Sequence, residues 1–177
     1  MVKNSVWIQQ EICGVKLYVY RSNVQNATTI YFLDGDQFKE PFNHWIIKHQ
    51  PALNFVLLNA NNRTDDYTPW SLQASETMPM DFGGKAEGHL SFITTHVIPF
   101  CESEYSFASS AEKRVIGGYS LGGLFSLYAA VNTDLFGTVL SCSSSLFPRN
   151  SSAWFQTPGE ATVYNHLFDY LHLRVQN

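Results

Sequence analysis

A serine lies at the centre of the segment Gly118-Tyr119-Ser120-Leu121-Gly122, which has the pattern Gly-x-Ser-x-Gly. The residues before it, "KRVIGGYS", predict a strand, and the residues after it, "LGGLFSLYAAVN", predict a helix. A serine on so sharp a turn has its hydroxyl lifted clear of the sheet and close to the positive end of the helix dipole. The pattern therefore predicts Ser120 as a nucleophile, and the alternative is a glycine turn with a purely structural role.

The segments around this turn predict alternating strands and helices. Residues 28–35 and 54–60 are nearly continuous apolar runs, which are typical of strands buried on both faces, and residues 15–21 predict an early, partly exposed strand. Another strand is expected within residues 136–145. Residues 87–105 predict a helix, kinked or shortened at Pro99, with one apolar face formed by Leu90, Ile93, Val97 and Cys101. This alternation predicts an α/β fold with a mostly parallel sheet.

Composition excludes several classes of function. The 177 residues are 45% hydrophobic, which predicts one globular domain over residues 1–177. The net charge of −4 and the scattered Lys and Arg residues argue against nucleic acid or an anionic membrane as a partner. Without a signal-peptide core or an apolar stretch of about 18 residues, we expect a soluble, cytoplasmic protein. We expect no metal site, and three free, buried thiols: Cys13, Cys101 and Cys142.

Four segments together resemble the putative esterase family of α/β-hydrolases, which includes enterochelin-esterase-like siderophore hydrolases, S-formylglutathione hydrolases and mycolyltransferases. They are "IYFLDGDQF" (30–38), "NNRTDDYTPW" (61–70), "GGKAEGHLSFITTHVIPFCES" (83–103) and "GGYSLGGLFSLYA" (117–129). The resemblance is clearest over residues 28–145. It implies an α/β-hydrolase three-layer sandwich around a mostly parallel central sheet, acting without a cofactor.

The same resemblance implies roles for individual residues. Ser120 would be the nucleophile, and the backbone N–H groups of Leu121 and Asp36 would form the oxyanion hole. Two backbone donors aimed at one point are what a tetrahedral acyl intermediate requires. Arg63 lies in a polar loop after a strand, where ligands bind in open α/β sheets, so it is a candidate for substrate binding or an ordinary surface residue.

The resemblance fades over residues 146–177, which form an atypical tail. An α/β-hydrolase presents its catalytic groups in the order Ser, then Asp or Glu, then His, and the family implies a longer chain after the serine than this one has. We therefore expect the C-terminal strands of the fold to be missing or replaced. Asp169 and His172 are the candidate acid and base, and the alternative is an amphipathic helix within residues 161–175 that covers the sheet edge. The histidines before Ser120 are expected to serve packing or surface roles: His44, His49, His89 and His96.

Two functions follow from these patterns. The first is a serine hydrolase that acts on a small-molecule carboxylic ester or thioester through Ser120. The second is a truncated, catalytically impaired protein of the same fold that acts only in binding or oligomeric interaction. If the tail does not cover the strand near residues 137–143, its exposed edge predicts a homodimer formed through that edge.

Overall fold

The computed structural model describes residues 5–74 and 79–145. A six-stranded sheet with the order β1-β2-β4-β3-β7-β8 forms the centre, and β5 and β6 form a separate small ribbon. The four strands β4, β3, β7 and β8 run parallel to one another, whereas β2 is antiparallel to both β1 and β4. The strands are β1 (Ile8–Ile12), β2 (Val15–Tyr20), β3 (Thr28–Leu33), β4 (Leu53–Leu58), β5 (Ser71–Leu72), β6 (Phe82–Gly83), β7 (Arg114–Tyr119) and β8 (Thr138–Cys142).

Helices cover both faces of the sheet. Because side chains alternate along β3, Tyr31 and Leu33 belong to the larger core on one face, whereas Phe32 packs with the aromatic side chains of α1 on the other. The larger core is completed by α3, α4 and α5. This arrangement confirms the predicted α/β-hydrolase three-layer sandwich with a mostly parallel sheet. The helices are α1 (Gly35–His49), α2 (Arg63–Asp66), α3 (Ala86–Phe92), α4 (Ile98–Tyr105) and α5 (Leu121–Asn132).

The early strand differs from its prediction. Residues 15–21 were expected to be partly exposed, but β2 lies inside the sheet and most of its side chains are buried. The reason is β1, which the sequence pattern did not predict. All five residues of β1 pair with β2. A tight turn at Cys13 (φ 50°) and Gly14 (φ 79°) joins the two strands.

The helix predicted over residues 87–105 is confirmed, and its regularity is interrupted at residues 93–97 rather than at Pro99. It consists of α3 and α4 joined by a π-helical turn at residues 93–97, with Pro99 near the start of α4. Proline is tolerated there because the first-turn N–H groups of a helix need no intrahelical partner. The predicted apolar face is buried at every position: Leu90, Ile93, Val97 and Cys101.

Three other expectations can be compared with the described residues. The three cysteines are free thiols, as expected, but only Cys101 is buried. Cys13 lies in the turn between β1 and β2 and Cys142 at the end of the edge strand β8, and both are exposed. In the part of the chain that the structure describes, no helix is long and apolar enough to cross a membrane. Within those same residues β8 forms one edge of the sheet and β1 the other, and the side chains of β8 alternate between exposed and half-buried. The homodimer through this edge stays a prediction.

His89 lies inside the core, as its position on a crossover helix predicted. Its ring packs against those of Tyr67, Phe92 and Phe125. Nε2 is buried and has no hydrogen-bond partner among the described residues. Burial lowers the pKa of His89 from 6.5 to about 4, and only the carboxylate of Asp66 acts in the opposite direction.

Replacing His89 should change how stability depends on pH. The unfolded chain protonates His89 below about pH 6.5, whereas the folded chain keeps it neutral down to about pH 4. The unfolded state therefore binds more protons between these values, and the free energy of unfolding should fall by about 2 kcal/mol from pH 7 to pH 5. In urea unfolding at both pH values, His89→Phe should lack this decrease.

The exposed His44→Phe is the matched control and should keep the wild-type profile. If the free energy of unfolding of His89→Phe still falls by about 2 kcal/mol from pH 7 to pH 5, as in the wild type, this account is wrong.

Candidate active site

Polar residues collect at the carboxyl edge of the sheet. Asp34 follows β3, Asn59 follows β4, Ser120 follows β7 and Ser145 lies just beyond β8. In parallel sheets these strand ends meet at one edge, which is where open α/β folds bind ligands. The topology therefore brings together residues that are separated by up to about a hundred positions in the chain.

Ser120 has a backbone conformation that few residues other than glycine adopt. Its φ is 58° and its ψ is −116°, at the junction where β7 ends and α5 begins. Such angles cost about 1–3 kcal/mol and persist where the surrounding structure holds them in place. Here the N–H of Ser120 donates to the carbonyl of Cys142 at 3.0 Å, and its carbonyl accepts from the N–H of Ser145 at 3.1 Å.

Glycines make this turn possible. A Cβ atom on Gly118 would lie 2.6 Å from the backbone carbonyl carbon of Gly122, which is closer than real side chains allow. A Cβ atom on Gly123 would lie 3.1 Å from the carbonyl oxygen of Cys142. The glycines therefore permit α5 to start directly against β7 and β8, as the pattern around Ser120 predicted.

The hydroxyl of Ser120 contacts one side chain among the described residues. Its Oγ lies 2.9 Å from Oγ of Ser145, and either hydroxyl can be the donor. No described histidine hydrogen-bonds to Ser120. The predicted acid and base, Asp169 and His172, lie outside the described residues, so both remain predictions.

Leu121 provides the first N–H group of α5. This twelve-residue helix presents its positive end at Ser120. Among the described residues, no acceptor outside α5 takes a backbone hydrogen bond from the Leu121 N–H. This geometry suits the predicted oxyanion-hole donor.

The N–H of Asp36 is differently placed. It donates to Oδ1 of Asn59 at 2.8 Å, so it already has an acceptor. The Asp36 carboxylate accepts hydrogen bonds from the Tyr18 hydroxyl and from Nζ of Lys16, the latter at 2.9 Å. Although partial burial acts to raise it, the pKa of the Asp36 carboxyl lies below its usual value because Tyr18 and Lys16 donate to the charged form. Asp36 is thus held through both its backbone and its side chain.

Arg63, the candidate for substrate binding, makes its hydrogen bonds to other residues of the protein. Its guanidinium makes two parallel hydrogen bonds to the buried carboxylate of Asp34, at 2.8 and 2.9 Å. It also donates to the carbonyl of Tyr119 at 3.3 Å and lies over the ring of Tyr67. The bond to Asp34 is the main reason that the pKa of Arg63 is raised. Arg63 therefore links the ends of β3 and β7 next to Ser120 in the chain, and its role in substrate binding remains a prediction.

The sequence interpretation did not assign roles to Asp34, Asn59 or Ser145. Each is a polar residue within a few positions of the end of a parallel strand, and that position is the signal that identifies them. The hydrogen-bond partners of these residues could not be predicted from the sequence in the same way. The bond between Asp34 and Arg63 spans 29 positions of the chain, and that between Ser120 and Ser145 spans 25.

Together, the three-layer sandwich and the strained serine between strand and helix define an α/β-hydrolase fold. Solved structures share this fold. The BES protein from Bacillus cereus matches with a TM-score of 0.71 and 20% identity, over 97% of this chain and 71% of that one. An IroE-like serine hydrolase from Shewanella oneidensis matches with a TM-score of 0.68 and 22% identity, over 91% and 55% of the two chains. At such identities these matches show the fold alone.

Sequence comparison identifies the family. The family described as putative esterase matches residues 9–171, and this chain belongs to that family. The uncharacterized protein YbbA of Bacillus subtilis is 33% identical over 119 residues, which are 64% of this chain and 48% of that protein. The chain thus spans about half the length of this curated relative.

Proposed function

We propose that this protein is a serine hydrolase of carboxylic esters or thioesters, with Ser120 as its nucleophile. The observation that carries the proposal is the positive φ of Ser120 between β7 and the start of α5. Strain of this kind is typical of positions where function requires a fixed geometry. Membership of the putative esterase family supports the same chemistry.

The proposed reaction begins at the serine. Oγ of Ser120 attacks the ester carbonyl carbon and passes its proton to a base, for which His172 is the candidate, oriented by Asp169. The C=O bond becomes a C–O⁻ single bond, stabilised by the N–H of Leu121 at the positive end of α5. Collapse expels the alcohol or thiol, which takes up the proton, and water then hydrolyses the acyl-enzyme.

The N–H of Asp36 is the proposed second oxyanion donor. A donor aimed at the developing charge typically contributes about 10²- to 10³-fold in rate. The start of α1 is held by Tyr18, Lys16 and Asn59, which supports the role because these contacts keep the donor in a fixed position before the reaction.

Relatives of the same fold indicate the class of substrate. One is a siderophore hydrolase, EstA of Aspergillus nidulans, and another is the enterobactin esterase FES of Shigella flexneri. The first name describes hydrolysis of a siderophore, and the second describes an esterase of enterobactin. We extend to this chain only the ester bond itself and propose a small-molecule ester as its substrate.

Covalent labelling tests the proposal. A fluorophosphonate probe phosphonylates a serine only when a base activates it, so intact mass spectrometry should show one adduct on the wild-type chain and none on Ser120→Ala. His172→Gln in the same assay tests the candidate base, and its labelling should be strongly slowed. A folded wild-type protein that takes up no probe would contradict the proposal and favour a hydrolase-fold protein that acts only by binding.

A further inference from the structure

The side chain of Asn59 lies at the start of α1, bonded to the proposed oxyanion donor. Its Oδ1 accepts the N–H of Asp36 at 2.8 Å, and its Nδ2 donates to the carbonyl of Lys16 at 3.0 Å. These two bonds determine the orientation of the amide, because a flipped side chain would direct NH₂ at an N–H and oxygen at a carbonyl. Oδ1 therefore faces the Asp36 N–H in the resting protein.

Asp36 itself has little freedom to turn towards another acceptor. Its carboxylate contacts Tyr18 and Lys16, both on β2, and its backbone belongs to the first turn of α1. A substrate oxygen that uses this N–H must therefore compete with Oδ1 of Asn59. The competition is between two acceptors for one proton.

We propose that Asn59 is a positioning residue: its Oδ1 occupies the Asp36 N–H until the charged oxyanion forms and displaces it. The inference rests on the proposed function, in which that N–H is an oxyanion donor. The carbonyl of a bound ester is neutral, like Oδ1 of Asn59, and gains little by displacing it. The tetrahedral oxyanion is charged, and hydrogen bonds to charged acceptors are about twice as strong as neutral ones. It displaces Oδ1, so the donor acts mainly in the transition state.

This arrangement has a kinetic consequence. An interaction that is absent from the ground state and present in the transition state raises kcat without tightening substrate binding. If the competing oxygen is removed, the N–H becomes available to the ground state as well. The substrate then binds more tightly, but the step from bound substrate to transition state gains nothing.

Two variants of Asn59 therefore have opposite effects. Asn59→Leu keeps the branching at Cγ and removes the acceptor, so KM for p-nitrophenyl acetate should fall about 2- to 10-fold at nearly constant kcat. Asn59→Asp keeps the shape but offers a charged acceptor that competes with the oxyanion on equal terms. Its kcat/KM should fall by about 10-fold or more. Asn59→Ala serves as a second acceptor-free variant if the leucine disturbs folding, which thermal unfolding will report.

Asn62→Ala provides the matched control. The Asn62 side chain also accepts a backbone N–H, that of Asp65, in the same loop, and none of its hydrogen bonds is to Asp36. It should leave both KM and kcat within about 2-fold of wild type.

The outcomes separate the inference from the function on which it rests. If the wild-type chain reacts with the fluorophosphonate probe but both Asn59 variants lose kcat at unchanged KM, Asn59 has only a structural role and the inference is wrong. If neither variant changes either constant, the Asp36 N–H is no oxyanion donor, and the inference is wrong while Ser120 stands. A wild-type chain that does not react with the probe overturns the proposed function and the inference together.

Discussion

Ser120→Ala is expected to lower kcat/KM for p-nitrophenyl acetate by at least about 10³-fold, the loss that follows removal of an activated nucleophile. The variant removes one oxygen and should keep the fold, because the hydrogen bonds that hold residue 120 between β8 and α5 are made by its backbone. Residual hydrolysis would come from the oxyanion donors and binding alone. Steady-state kinetics with a thermal unfolding curve for each protein measures both properties.

Ser145→Ala is the matched control for this prediction. Its hydroxyl lies 2.9 Å from that of Ser120, so it is the described serine against which the assignment must be tested. Loss of this neutral hydrogen bond should change kcat/KM by no more than about 10-fold. An equal loss of kcat/KM in both variants would mean that the two serines act as a pair. A loss only in Ser145→Ala would mean that Ser145, and not Ser120, is the nucleophile.

Arg63→Met is expected to destabilise the protein by about 2–3 kcal/mol, since it leaves the buried carboxylate of Asp34 without its partner. The value is at the low end for a broken buried pair because the Arg63 side chain is 39% exposed whereas that of Asp34 is 8% exposed. Labelling of Ser120 should also slow, because the carbonyl of Tyr119 loses the donor that helps to hold the turn. Urea unfolding and the probe reaction measure the two effects.

Asp34 is more buried than Arg63, so the variant of Asp34 serves as the control. Asp34→Asn leaves a half-exposed guanidinium that water can solvate, so it should cost less, about 1 kcal/mol. In the double variant neither charge remains, and its destabilisation should be smaller than the sum of the two single effects. Additive effects would mean that the two side chains do not stabilise one another.

Much of the fold could be read from local patterns. The buried strands β3 and β4 appear in the sequence as continuous apolar runs, and the kinked helix appears as an apolar face with a proline. The strand β1 was missed because "IQQEI" carries no clear alternation, and it is a strand only because β2 offers it an edge to pair with. Tertiary pairing overrode the local pattern at that point.

The serine turn could be predicted because its sequence signal is local. Gly118, Ser120 and Gly122 are neighbours in the chain, and a Cβ atom on Gly118 would clash with the backbone of Gly122 within the turn itself. The pattern therefore predicts the turn, whereas the hydrogen bonds that hold it in place come from Cys142 and Ser145, which are distant in sequence.

The surroundings of the turn were decided by the tertiary structure. The sequence suggested Arg63 for substrate binding, whereas in the fold its guanidinium binds Asp34. The family resemblance implied the N–H of Asp36 as an oxyanion donor, and in the fold this N–H already donates to Asn59. Both pairings join residues that follow different strands, and they depend on strand order and register, which no local pattern encodes. The amino-acid sequence alone thus determined the strained serine at the junction of strand and helix, whereas only the packing of parallel strands decided which polar groups share its edge of the sheet.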